Sequence, residues 1–403
     1  MKYLYSYLLL GLLFSACQNE VSNTDSDHSS AKIVESTSPS LGNNAWVVAS
    51  EPELIFGTEE GDKNFQFYRV FSVIQLSNGN IVVSNSGTHE LRFFDSNGNF
   101  IKATGQNGRG PGDFGDFSSM RLHKYRDDSF VVNDNANIRG QIFSNDGELI
   151  TVHSIGEINN SGTPSFTGVY TDSSLLILAV IGSGAMRPGN PGEVIQNEFG
   201  FHRLLPDWTY DKMVYKIPAR PRIENEYRGT TTFPYIPLTA DPIYITDSTS
   251  GALFSAGTEP SITRVDTTGT TTHIYEWNFP RTKTDSIWDR YKQEYYLEPL
   301  SSNPDRKAQY EHMLSKDLPI PENIPAISEL KIDAEGNIWA KRFVLPWDEV
   351  GVWDVLSSNG NWLTTVDVPQ SFTITDIGSD FLLGYTRRNG FIEIVKIPLT
   401  KNA

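Results

Sequence analysis

Residues 76–114 read LSNGNIVVSNSGTHELRFFDSNGNFIKATGQNGRGPGDF. The stretch holds four short β-type runs separated by turn chemistry, an up-and-down unit of radial sheet. Asn78-Gly79 and Asn97-Gly98 each lie between apolar runs. A two-residue hairpin there needs positive φ, which Asn-Gly supplies at little cost.

Working outward, the residue before the first apolar run after each hairpin turn recurs as Asn80, Ser129, Ser174, Ala252, Asn337 and Asp380, at spacings of 49, 45, 78, 85 and 43. Three spacings are near one unit and two carry insertions, so the repeat predicts six blades of a β-propeller. A second turn follows at Asn97-Gly98, Asp146-Gly147, Thr268-Gly269 and Asn359-Gly360. The last unit, 372–399, is one strand short, and residues 53–57 form a strand without a hairpin partner. The N-terminal strand is therefore expected to complete blade six and remove an exposed edge. The expected class is all-β: a six-bladed propeller over 45–403, closed by an N-terminal strand, with a helical insertion at 281–325 between blades four and five.

The chain has 403 residues, 12% aromatic and 20% charged, with a net charge of −16. That charge argues against nucleic acid or an anionic membrane surface as a partner. Residues 1–17, MKYLYSYLLLGLLFSAC, have a basic start, a short apolar core and small residues before Cys17. This is the layout of an export signal, too short to span a bilayer. Cys17 is the only cysteine, so disulfides and Cys-ligated metals are not expected. The polar, Ser-rich 18–44 reads as a flexible tether.

The ending LFSAC resembles a bacterial lipoprotein signal, which implies lipid on Cys17. Gln18 lacks the Asp of the inner-membrane retention pattern, which favours the outer membrane. Over 76–114, NIVVSNSGTHELRFFDSNGNFI and GRGPGDF resemble NHL-type six-bladed propellers, including a group of lipid-anchored bacterial propellers. The likeness is good over 326–399 and faint in blades three and four. It implies the fold but no single activity, since such propellers serve as binding modules, lyases and lactonases. Asn85 stands where the family has Asp after the second strand, with Asn133-Asp134 in blade two.

In an up-and-down blade the hairpin turns share one face. The long insertions 182–200, 217–242 and 281–325 all fall on the other. Thr284-Asp285 and Asn303-Pro304 predict two helix starts within 281–325. The helical pair is either a lid over the channel or a buttress. The inserted face also collects Arg109, Arg187, Arg220, Arg222, Arg228, Lys341, Arg342 and Trp347, with Tyr227 nearby. Guanidinium forks and aromatic faces suit a carbohydrate or small anion. The same arginines can instead pair with Glu224, Glu226 and Asp348.

GQNGRGPG lacks the Lys-Ser/Thr of a P-loop and precedes no helix. Asp95–Asn99 lacks the later Glu of a calcium loop and reads as a turn. The seven histidines form no HExxH motif, and no GxSxG elbow occurs. Lactonase-like propellers hold a divalent cation at the channel, which here implies Asn85, Asn133, Asp134 and Asn135, with His89 as base and Ca²⁺ as one such ion. The reading is a lipid-anchored envelope binding module without a cofactor, expected as a monomer, whose partner is a carbohydrate, small anion or envelope protein. A metal-dependent lactonase or lyase is the alternative.

Overall fold

The computed structural model describes residues 31–158, 161–181 and 191–401. The signal, Cys17, the first part of the tether and Arg187 lie outside them. Six sheets stand radially around a central channel. Blade one is Val70–Gln75, Ile81–Asn85, Glu90–Phe94 and Phe100–Thr104, hydrogen-bonded in that order from channel to rim. Blades two to five start with inner strands Leu122–Lys124, Ser165–Val169, Ile243–Thr246 and Ile327–Ile332, and blade six with Phe372–Ile377. Their apolar side chains meet between neighbouring blades. Val131 of blade two, for example, packs with Phe166, Leu175 and Ile177 of blade three.

The hairpin turns differ from the two-residue expectation. At 95–99, Gly98 alone has positive φ (79°), Gly98 N–H donates to Asp95 O, and Asp95 N–H donates to Asn99 O. This is a three-residue loop, a type I turn closed by a left-handed glycine, with the register slip at Phe93/Phe94. Asp95 Oδ1 accepts from the amides of Asn97 and Asn99 at 2.9 and 2.8 Å, holding the middle of the turn right-handed. That is also why the segment is a turn and not an ion loop.

Closure occurs as the sequence predicts. Leu54–Phe56 pairs antiparallel with Phe391–Lys401, Leu54 opposite Lys396, and Trp46–Val48 extends the pairing to Lys401. Phe56 then packs with Phe67, Phe94, Ile392 and Ile394, joining the last blade to the first. On the channel side, Thr375 Oγ1 bonds both the amide and the carbonyl of Val73 (3.2 and 2.7 Å).

The tether expectation is corrected beyond residue 31. Lys32–Ser36 runs parallel to Thr271–Trp277 as a fifth strand of blade four. The amides of Ser40, Leu41 and Asn44 then donate to Trp362, Leu363 and Thr365 of blade five. Backbone pairing at a sheet edge needs no apolar periodicity, so a polar segment with Ile33 56% exposed still binds as a belt.

The insertion is helical at both predicted places. Trp288–Tyr291 continues as a wider π-type turn, Lys292–Leu297, and Pro304–Leu314 is a regular helix. Asn303 caps the latter, its Oδ1 accepting from Arg306 N–H at 3.2 Å.

Candidate functional site

The side chains of the metal reading are largely engaged by protein groups. Asn85 Oδ1 accepts from Tyr68 N–H (2.6 Å) and its Nδ2 donates to Thr88 (2.7 Å). Asp134 is fully buried, with Oδ2 taken by Arg139 and Asn137 (both 2.8 Å) and Oδ1 by Gly115 N–H (3.2 Å). Asn135 Oδ1 accepts from the amide and hydroxyl of Ser119. Only Asn133 Oδ1 is left without a partner. These hydrogen bonds hold neighbouring loops and strands together. No cluster of three His, Cys, Asp or Glu suited to a metal occurs among the described residues. His89 stands 3.2 Å from Asp116 Oδ1 and is not among the channel-lining residues.

The predicted arginines separate into two kinds. Arg342 is structural: its Nε and Nη2 donate to buried Asp354 at 3.0 and 2.8 Å, and Trp277 Nε1 donates to the same carboxylate at 3.0 Å. Burial pushes the Asp354 carboxyl up while Arg342 and Trp277 pull it down. Lys341 lies 5.7 Å from the Trp353 ring, and Trp347 carries Arg290 at 4.0 Å. Arg109 is exposed on its crossover and Arg228 at a hairpin tip. Arg220 pairs with Asp241 (3.4 Å).

Arg220 and Arg222 are brought together. Their guanidinium carbons stand 4.8 and 3.9 Å from the ring centre of Tyr235, and Arg222 Nη2 donates to the Tyr235 hydroxyl at 2.6 Å. Opposite them lies the helical insertion. A hollow of about 300 Å³ is lined by Arg220, Tyr235, Tyr295, Tyr296, Arg306 and Tyr310. A second of about 240 Å³ adjoins it, sharing Pro234, Arg306 and Tyr310. Tyr291, Tyr295, Tyr296 and Tyr310 form a run of ring contacts 4.9–5.5 Å apart behind one wall. Burial pushes the hydroxyls of Tyr291 and Tyr296 up, so they remain donors. Tyr235 is 39% and Tyr295 50% exposed, and Arg306 has no carboxylate partner among the described residues.

Sequence reasoning did not single out Arg306 or the tyrosines as lining one groove. The available signal was the density of Tyr in 291–310, read only as helical spacing. The insertion also decides between lid and buttress. Its core joins Ile223, Ile236, Met313 and Leu318 on one side and Leu238, Tyr291, Ile324 and Leu345 on the other. None of residues 281–325 lines the central channel. It is a buttress over blades three to five with a groove of its own.

The sequence matches no protein-family model and no curated protein. Among solved structures, a member of the DUF4221 family from Bacteroides vulgatus is similar with a TM-score of 0.53 at 11% identity, covering 90% of this chain and 100% of its own. The likeness is one of fold. A Bacteroides fragilis protein assigned as exported gives a TM-score of 0.47 at 13% identity, covering 92% of this chain and 99% of its own. A gluconolactonase from Xanthomonas campestris gives 0.41 at 12%, covering 83% and 87%. Neither of these weaker likenesses bears on activity or location.

Proposed function

We propose that this propeller is an envelope binding protein, lipid-anchored through Cys17, whose inserted face takes a carbohydrate bearing acid groups. The observation that carries the ligand is the groove itself. Two exposed tyrosine rings line it, with Arg220 and Arg222 stacked on one and Arg306, without a carboxylate partner among the described residues, shared by the two hollows. Aromatic faces suit the apolar side of a sugar ring, and guanidinium forks suit its carboxylate. In a chain of net −16 this cationic grouping is a local departure from the rest.

Calorimetric titration with oligogalacturonate is the test. Tyr235→Ala and Tyr295→Ala should each weaken binding by about three- to tenfold, the worth of one ring contact. Raising the salt should weaken it further, because exposed ion pairs are screened. Unchanged affinity in the double variant sinks the groove as the binding surface. The anchor rests on the LFSAC ending alone, and Cys17→Ser should move the protein from the membrane fraction to the soluble one.

A further inference from the structure

We propose a second binding site, at the mouth of the central channel on the side of blades one and two, for a small aromatic carboxylate. The channel encloses about 520 Å³ and is walled by the inner strands of all six blades. Its acids are each neutralised. Asp376 is held by Lys124 at 2.9 Å, Glu329 by Lys331 at 3.0 Å and Asp241 by Arg220 at 3.4 Å. Its arginine is not: Arg121 lines the wall with no carboxylate within ion-pair distance among the described residues. A guanidinium left over beside fully paired acids is a site for an oxyanion brought from outside.

Two further observations point the same way. His123, two residues along from Arg121 on the same wall, has its Nε2 unpartnered, a group that donates to an oxyanion in its Nε2–H tautomer. Above them stands an aromatic rim. Arg69 lies 5.8 Å from the Phe71 ring and 5.4 Å from that of Phe117, which is 80% exposed. Arg69 and Phe117 both have positive φ, 53° and 61°, a costly conformation for side chains of this size and one that collects at ligand clamps. The oxyanion would sit on Arg121 and the flat body against the exposed face of Phe117. Arg69, already stacked on both rings, supplies the second positive charge.

Calorimetric titration at fixed ionic strength, with benzoate and inorganic phosphate as probes, tests the site. Benzoate should bind saturably and more tightly than phosphate, which shares the charge but lacks the flat body. Arg121→Gln should weaken benzoate by at least about tenfold, the loss of a charge-assisted hydrogen bond. Arg121→Lys, which keeps the charge and loses the fork, guards against a folding defect and should also weaken it. Phe117→Ala should weaken benzoate while leaving phosphate unchanged. Tyr235→Ala, in the groove, should leave benzoate unchanged, so the two sites fail separately. No saturable benzoate binding with a Kd below about 1 mM overturns the proposal. So does benzoate binding that survives both Arg121 substitutions, or binding lost with Tyr235→Ala.

Discussion

His123 sits on the inner strand of blade two with its ring edge-on to Phe166, centroids 4.7 Å apart. Burial first, then Arg121 and Lys331, hold its imidazole down at about 3. In the unfolded chain it titrates near ~6.5. Between those values the unfolded state binds the extra proton, so stability is full above about pH 6.5 and falls as the pH drops towards 3, by up to about 1.4 kcal/mol per unit. His123→Phe, which also suits the apolar neighbour, should flatten that part of the acid decline. Urea midpoints measured at about pH 7 and about pH 5 would show it, the wild type losing more between them than the variant. An equal loss in both proteins removes His123 from the account. At this scale the sequence was least legible. Asn85, Asp134 and Arg342 have the residue types of a site, but each is spent on a loop or a buried pair. Residue type tells what an atom can bond; only the fold tells what already bonds it.

The elements were more legible where their chemistry is local. Asn303-Pro304 starts a helix because cap and first turn lie within four residues, and the glycine turns sit where the repeat places them. What spacing did not show is the device that holds the crossovers. Arg139, on the third strand of blade two, donates to the carbonyls of Arg109, Gly110 and Asp113 at 2.7–2.9 Å. Arg92, on the third strand of blade one, does the same for Lys63, Asn64 and Gln66 at 2.7–3.1 Å. Each guanidinium is held in turn by a carboxylate, Asp134 for one and Glu90 for the other. A Gly-rich loop such as GQNGRGPG leaves carbonyls without backbone partners, and a five-donor fork satisfies three of them at once. TEEGDKNFQF (58–67) and QNGRGPGDF (106–114) are thus both crossovers braced by an arginine 26–30 residues away. Asp134 is thereby part of the brace: removing it would strand a buried arginine.

For the whole molecule the decisive contacts are those that sequence distance hides. Blade six borrows its outer strand from Leu54–Phe56, more than 330 residues from its partner in the chain, Leu54 pairing with Lys396. Closing so long a loop costs entropy, which the buried cluster of Phe56, Phe67, Phe94, Ile392 and Ile394 offsets. That closure was predictable because both ends were visibly incomplete. The belt of 32–44 was not, because its strand is polar and pairs through its backbone. The two segments make different contributions, and truncation separates them. A chain beginning at residue 45 loses the five parallel pairs with blade four but little apolar burial, Ile33 being exposed. It should remain folded, with stability lower by about 1–3 kcal/mol, a few net hydrogen bonds' worth. A chain beginning at residue 58 also loses Trp46 and Phe56 and leaves the edge of blade six open. Two large buried aromatics cost about 3–5 kcal/mol each when removed, so this chain should melt far lower and self-associate through the open edge. Calorimetric melts and light scattering on the two truncations read both effects. If the chain from 45 melts with the full protein, the belt adds nothing; if the chain from 58 stays monomeric and stable, the ring does not depend on its closing strand.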